Sequence, residues 1–200
     1  MSIFFYCLAY AAVIAFVAIA FMRIMGYLKK PQHLRWELYP VAHEEAERVE
    51  YGGSYLENVD WWKDKYHSSV VGALKGFLEE ALFLKATWEH NRPLWWRTYP
   101  FHVGLYLLLG GMGMTVLAAL AKMAGFEGFV TFCTCVTVFL NVVGFGGVLF
   151  GAVGLIQRRL CDAGLRKYTS NEHFFNLGLF GVYALLGLLL CLGYSAWDFA

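Results

Sequence analysis

Residues 88–114 read WEHNRPLWWRTYPFHVGLYLLLGGMGM, and this stretch decides the fold. It opens with charged and amide side chains, passes the aromatic residues Trp95, Trp96 and Tyr99, and becomes apolar after Pro100. Tryptophan and tyrosine are enriched where a helix passes from water into a bilayer, because their rings are apolar while their N–H or O–H groups still reach polar partners. The order of residues therefore predicts a helix that enters a membrane at this point.

His102 lies about one helical turn inside the apolar run that follows Pro100. An imidazole there needs a partner, because an unpaired polar group in hydrocarbon costs several kcal/mol. Histidines inside membrane spans bind haem, relay protons or form hydrogen bonds with neighbouring helices. The sequence therefore marks His102 as the first candidate for a binding site, with haem ligation and a hydrogen bond within the helix bundle as alternatives.

The composition of the chain is typical of an integral membrane protein. Hydrophobic residues make up 59% of its 200 positions, and the mean hydropathy is +0.51. A helix needs about 20 apolar residues to cross a bilayer, and four segments meet this requirement: 3–26, 101–123, 129–156 and 174–194. We therefore predict an all-α membrane protein with four transmembrane helices in a single membrane domain. The net charge of +1 gives no reason to expect a nucleic-acid partner.

Lysine and arginine residues are concentrated on one side of the predicted spans. They follow the first span and recur between the third and fourth spans, whereas the connection 124–128 contains none. Because loops rich in Lys and Arg stay in the cytoplasm, we expect 27–99 and 158–171 to be cytoplasmic and both termini to be outside. The first segment has neither a basic start nor a small-residue cleavage site, so we expect a retained span rather than a signal peptide.

The segment 27–99 is the only sizeable aqueous part of the chain, and it carries ten Lys/Arg and eleven Asp/Glu residues. Its first half is polar, aromatic and turn-rich, with too few apolar residues for a core of its own. Such segments are usually ordered by a partner surface. We therefore predict a docking loop with four aromatic anchors: Trp36, Tyr39, Tyr55 and Trp61. Apolar residues at helical spacing over 70–88 predict an amphipathic helix in the membrane interface.

The cysteine spacing excludes several kinds of cofactor site. The five cysteines form no CxxC or CxxCH pair, so this chain carries no sequence signal for an attached c-type haem or a cysteine-bound iron–sulfur cluster. A glycine-rich phosphate loop, a nucleophile elbow and a carboxylate within a span are also missing from the sequence. We therefore predict a subunit that has no catalytic site of its own.

Glycines recur at spacings of three and four residues in the second and third predicted spans. This spacing lets helix backbones approach closely in lipid, and it could also make room for a flat macrocycle; helix packing is the more frequent cause. His173 opens the fourth span beside Glu172, where a solvated helix start is favoured over haem ligation. The predicted topology nevertheless places His173 on the same side of the membrane as His102, so it remains a second candidate ligand.

Two span motifs and three loop motifs resemble a known family. FHVGLYLLLGG at 101–111 and GGVLFGAVGLIQRRL at 146–160 resemble the gamma subunits of respiratory nitrate reductases, dihaem cytochromes b that exchange electrons with quinol. HLRWELYPVAHE, GGSYLENVDWW and LFLKATWEHNRPLWWR look closer to one branch of that family. The branch comprises membrane subunits of sulfate-reducer electron-transfer complexes of the Hmc, Tmc and Dsr type and of membrane-bound heterodisulfide reductase, with the Hmc type nearest. The resemblance covers essentially the whole chain.

The resemblance implies haem ligands on a second and a fifth span. His102 matches the first ligand position of the second span. The next position, ten residues on, is Met112, about 15 Å away along a helix, and the sequence contains no fifth span. Three alternatives follow: one b-type haem with an atypical second ligand, a scaffold without haem, or a longer protein with a further span. For the second ligand His173 is the better candidate and Met112 the poorer one, because one helix cannot reach both faces of the iron.

The resemblance also implies a function and a location. Such a subunit is a multi-pass protein of the bacterial inner membrane that takes part in anaerobic respiration with sulfate. It passes electrons between a quinone pool, with menaquinone as the expected quinone, or a periplasmic multihaem cytochrome c, and a cytoplasmic iron–sulfur subunit similar to heterodisulfide reductase. Other membrane subunits complete the complex. The alternative is a haem-free structural anchor with the same docking loop.

Overall fold

Every regular element in the described part of the chain is a helix, which confirms the all-α prediction. The structure is a computed structural model that describes residues 3–30, 44, 59–63 and 68–193. In chain order the elements are α1 (Ile3–Leu28), a short 3-10 helix (Trp61–Lys63), α2 (Val70–Phe83), α3 (Lys85–His90), α4 (Arg92–Met123), α5 (Glu127–Cys161), α6 (Ala163–Lys167) and α7 (Asn171–Gly193). The chain comprises two structural units, Met1–Ser69 and Val70–Ala200.

Four helices, α1, α4, α5 and α7, are long and apolar enough to cross a membrane. This confirms the predicted number of spans and is typical of a multi-pass membrane protein. The 32 residues of α4 and 35 residues of α5 correspond to lengths of about 48 and 52 Å at 1.5 Å per residue. Both exceed the hydrocarbon thickness of about 30 Å. Each helix therefore continues beyond the apolar stretch from which its span was predicted.

The first unit contributes α1 and the short helix. The sequence of α1 is apolar around its whole circumference, with Arg23 as its single charged residue. At its end the Lys30 ammonium lies 5.6 Å from the centre of the Tyr27 ring. In the short helix Lys63 forms an exposed ion pair with Asp60 at 2.9 Å. Exposed pairs of this kind stabilise a fold by at most about 1 kcal/mol.

The second unit is organised around α5, which packs against α4 on one side and α7 on the other. A three-residue connection at 124–126 joins α4 to α5, so the two helices run antiparallel. Gly125 has a φ of 80°, a left-handed backbone conformation that glycine adopts without a steric penalty. The buried core of this unit consists of Phe101, Leu108, Phe145, Val148, Ala152 and Ala184.

Glycines make the contact between α4 and α5 unusually close. A Cβ added at Gly104 would lie 2.6 Å from the carbonyl oxygen of Gly144 and 2.7 Å from the amide nitrogen of Val148. A Cβ added at Gly151 would lie 2.8 Å from the carbonyl oxygen of Arg97. These positions support helix packing as the reason for the glycine pattern, because only glycine lets two backbones approach this closely.

The segment 70–88, predicted as one continuous amphipathic helix, is broken at Leu84. Leu84 has φ 51° and ψ 50°, the left-handed conformation, which ends α2 and starts α3. Two carboxylates stabilise the break from α2: Glu80 accepts a hydrogen bond from the Ala86 backbone N–H at 2.9 Å, and Glu79 accepts one from Lys85 Nζ at 2.7 Å. The apolar spacing was correctly assigned to helix, but it carries no signal for the change of direction.

Candidate functional site

The helix that carries His102 begins at a well-defined cap. The side chain of Asn91 accepts a hydrogen bond from the Leu94 backbone N–H at 3.2 Å, and Pro93 occupies the first turn. Asparagine is favoured at the residue before a helix, and proline fits the first turn because the N–H groups there have no partner within the helix. Pro100 then lies inside the helix. Together these residues fix the start of α4 two turns or more before His102.

The imidazole of His102 has a defined orientation. Its Nδ1 lies 2.8 Å from the backbone carbonyl oxygen of Thr98, one turn earlier in α4. A carbonyl oxygen can only accept, so Nδ1 carries the proton and donates it, and in the neutral ring Nε2 keeps its lone pair. No described residue forms a hydrogen bond with that nitrogen. His102 is half-buried, so Nε2 is available to a ligand.

Three aromatic residues share the face of α4 that includes His102. Trp95, Tyr99 and Tyr106 lie seven, three and four residues from it, respectively, and a 3.6-residue period brings these spacings to the same side. The rings of Trp95 and Tyr99 are stacked with centroids 4.2 Å apart, and Trp88 packs edge-on against Trp95 at 4.8 Å. This face therefore presents an aromatic surface beside the imidazole.

The same aromatic side chains bind the end of α2. Tyr106 Oη donates a hydrogen bond to the carbonyl oxygen of Ala81 at 2.7 Å, and Trp95 Nε1 donates one to the carbonyl oxygen of Phe83 at 2.8 Å. The last carbonyl groups of a helix have no N–H partner within that helix. The side chains of α4 supply hydrogen-bond donors to two of these carbonyl groups at the end of α2. The end of α2 is thereby held against the His102 face of α4. Sequence reasoning missed this contact because the partners are 12 and 25 residues apart.

Charged groups at the break between α2 and α3 are paired. The hydrogen bond from Lys85 lowers the pKa of the Glu79 carboxyl below its ordinary value, and the same bond raises the pKa of the Lys85 ammonium. Arg92 lies over the Trp88 ring at 4.7 Å, a favourable placement of a cation on an aromatic face. These contacts connect α2 to α3 and α3 to the first residue of α4.

His173 is placed differently from His102. It lies in the first turn of α7, is exposed, and its Nδ1 accepts a hydrogen bond from the Ser170 backbone N–H at 3.1 Å. The neutral ring therefore carries its proton on Nε2, the opposite arrangement from His102. This is the geometry of a helix-start residue bound to its own turn.

The structure does not bring His102 and His173 together. Phe101 packs edge-on against Phe180 of α7 with ring centroids 5.5 Å apart, so Phe180 marks the depth of His102 on α7. His173 lies seven residues earlier, which is about 10 Å along the helix axis. Met112 is 65% exposed and lies ten residues beyond His102 on α4, about 15 Å away. The described contacts therefore join neither side chain to His102, and both second-ligand candidates stay predictions.

Among the described residues, His102 would hold the iron of a b-type haem. His102 suits this role because metal-binding histidines usually donate their other ring N–H to a carbonyl or carboxylate oxygen. The hydroxyl of Thr98 is buried with no hydrogen-bond partner, which leaves a donor for a polar group of a ligand. Within residues 3–30, 44, 59–63 and 68–193, no group of three metal-binding side chains occurs. The helical spacing of Thr98 and His102 was visible in the sequence, but the orphaned hydroxyl was not.

Of the four predicted docking anchors, Trp36, Tyr39 and Tyr55 lie outside the described residues. Trp61 begins the short 3-10 helix Trp61–Lys63. The docking loop therefore stays a prediction.

No known protein family, curated protein or solved structure matches the chain. Its function must therefore be argued from the residues themselves.

Proposed function

We propose that the chain is the membrane subunit of a multi-subunit respiratory redox complex. It passes electrons between a quinone pool or a periplasmic carrier and a cytoplasmic iron–sulfur subunit that docks on 27–99. The observation that carries the proposal is the hydrogen bond from His102 Nδ1 to the Thr98 carbonyl oxygen at 2.8 Å. That bond fixes the tautomer that an iron ligand needs and leaves Nε2 free.

In this proposal His102 holds one b-type haem near the end of the apolar part of α4. When bound, the haem supplies one-electron transfer. The chain contributes orientation of the imidazole through Thr98 and exclusion of water through the stacked rings of Trp95 and Tyr99. His173 would be the better candidate for a second ligand and Met112 the poorer one.

The proposed setting follows the sequence resemblance. The subunit lies in the bacterial inner membrane together with other membrane subunits, and its aqueous partner is an iron–sulfur protein similar to heterodisulfide reductase. Electrons enter or leave through menaquinone or a periplasmic multihaem cytochrome c. The side of the membrane on which His102 lies is the one richer in Lys and Arg, which supports exchange with a cytoplasmic partner.

The second candidate function is a haem-free structural anchor. The observation that favours it is the placement of His173 about 10 Å from the depth of His102, by helix rise, on a turn where its Nδ1 is already bound to Ser170. In an anchor, His102 would serve only as a polar residue paired with its own helix. The docking loop and the membrane helices keep the same roles in both candidates.

A visible absorption spectrum of the purified complex separates the two functions. We expect the wild-type complex to show a reduced-minus-oxidised b-type band, and His102→Ala to lose it while the subunit stays in the membrane. His90→Ala is the matched control, because His90 is exposed at the end of α3 and should keep the band. A wild-type complex without haem absorbance establishes the anchor; a band that survives in His102→Ala refutes ligation by this residue.

A further inference from the structure

A shallow, open pocket lies at the end of α5, where the chain turns into α6. Its volume is about 470 Å³, and it is lined by Leu160, Cys161, Ala163, Arg166 and Lys167. Two cations thus share one pocket with apolar side chains. That combination suits a ligand that has both an anionic group and an apolar part.

Short-range hydrogen bonds hold the backbone of the turn that carries this pocket. Asp162 Oδ1 accepts from the backbone N–H groups of Gly164 at 2.9 Å and Leu165 at 3.0 Å. Thr169 Oγ1 donates to the Leu165 carbonyl oxygen at 2.8 Å and accepts from Arg159 Nη1 at 3.3 Å. These bonds connect residues on either side of the pocket lining and hold the turn between α5 and α7.

The charge around the pocket is positive and unbalanced. Residues 158–167 contain four Arg or Lys and one Asp, a net charge of +3 from 4 − 1. The one carboxylate, Asp162, is engaged by the backbone of α6. Within the described ranges, neither Arg166 nor Lys167 has an ion-pair partner. Both side chains are exposed and can reach an anion.

The apolar side chains of the pocket lie at the end of a membrane helix, directly after the polar residues Gln157, Arg158 and Arg159. Leu160 is 54% exposed and Cys161 is exposed, and both belong to α5, which is long and apolar enough to cross the bilayer. The pocket therefore lies at the boundary of the membrane, at the level of lipid headgroups. A soluble phosphate would use the two cations and leave these apolar side chains unused.

We propose that this pocket binds the phosphate of an anionic phospholipid, with Arg166 and Lys167 on the phosphate and Leu160 against the upper part of an acyl chain. Basic pockets beside membrane spans bind such headgroups. The site is separate from His102 and does not depend on haem. It also goes beyond the role of these cations in orienting the chain, because orientation needs their charge alone and not the apolar side chains beside them.

Native mass spectrometry of the full chain tests the proposal. The protein is reconstituted in nanodiscs with equal amounts of phosphatidylglycerol and phosphatidylcholine, and the lipids retained after release are counted. We expect phosphatidylglycerol to be retained preferentially. One Lys or Arg near an anionic headgroup contributes about fivefold to affinity, so Arg166→Gln with Lys167→Gln should lower the preference about 25-fold.

Two controls define the outcome. Lys29→Gln with Lys30→Gln removes the same charge at the end of α1, where no lipid pocket is proposed, and should lower the preference less than the pocket variant does; Lys167→Arg should keep the preference. Equal retention of both lipids by the wild type, or equal losses in the two double variants, overturns the proposal. Millimolar inorganic phosphate should leave the lipid bound; if it displaces the lipid, the site belongs to a soluble phosphate and the lipid assignment is wrong.

Discussion

Replacing Gly104 by alanine tests the contact that holds α4 against α5. The new Cβ would meet the Gly144 carbonyl oxygen at 2.6 Å, the Val148 amide nitrogen at 2.7 Å and Val148 Cγ2 at 2.9 Å. Two of these atoms belong to the backbone of α5, so they cannot rotate away as the end of a side chain can. The helices must separate to accommodate the methyl group.

The size of the effect follows from that separation. Moving the helices apart by about 0.5–1 Å forfeits a quarter to a half of the dispersion energy of the atoms in contact. Insertion of a methyl group into a well-packed core destabilises proteins by about 1–3 kcal/mol. For a chain of this length, about 2 kcal/mol corresponds to a fall in Tm of about 4–8 °C. We expect Gly104→Ala to show a shift of this size.

Gly113→Ala is the matched control for this prediction. Gly113 lies on the same helix, and no atom lies within 4 Å of an added Cβ. Both substitutions raise the helix propensity by the same amount, so the difference in Tm between the two variants reports the packing between α4 and α5. Tm is measured by intrinsic fluorescence of the detergent-solubilised protein, and Gly113→Ala should match or exceed the wild type. Equal Tm values for the two variants would refute the packing argument.

Three further predictions concern the aqueous segments. An impermeant maleimide applied to intact cells should leave Cys161 unmodified and should label it after the membrane is opened, because loops rich in Lys and Arg stay in the cytoplasm. Trp36→Ala with Tyr39→Ala should release the cytoplasmic subunit during purification, since aromatic anchors carry most of the energy of an interface. The pKa of Glu79, lowered by its hydrogen bond from Lys85, should rise in Lys85→Gln when followed by NMR. Because the pKa of Glu79 is lower in the folded state than in the unfolded state, the pair stabilises the fold at pH values above the unfolded-state pKa. This stabilisation is lost as the pH falls through the folded-state pKa.

Each of these has an outcome that contradicts it. Labelling of Cys161 in intact cells, with Cys161→Ser as the background, reverses the topology. An intact complex after both aromatic substitutions places the docking surface elsewhere. An unchanged titration of Glu79 in Lys85→Gln means that the pair is not formed in solution.

Hydropathy located the four membrane helices but underestimated the length of two of them. The span predicted at 101–123 is part of the helix Arg92–Met123, and the span predicted at 129–156 is part of the helix Glu127–Cys161. A hydropathy pattern identifies only the part of a helix that lies in hydrocarbon. Residues 92–100 continue α4 because Asn91 caps it and aromatic side chains pack along it, and neither effect changes the hydropathy.

The site was predictable only where its contacts are local. His102 and Thr98 are one turn apart, so their hydrogen bond follows from helical spacing alone. The break at Leu84 could not be read in the same way, because leucine is a good helix former. Its left-handed conformation is stabilised by Glu80 from α2 and accompanied by the bond from Trp95 to Phe83. Side-chain contacts between helices stabilise such a break, and a single sequence does not show those contacts.

The length of α4 has a mechanical consequence. Residues 92–100 precede the apolar run and extend the helix by about 13 Å at 1.5 Å per residue, more than the roughly 5–7 Å depth of one headgroup layer. The extension belongs to the same helix as His102, and its lower end is held against α5 by the close contacts at Gly104 and Gly151. A protein bound to this extension would be connected to the membrane helices through a continuous helix instead of a flexible tether. Tilting or turning of such a partner would be transmitted directly to the surroundings of His102.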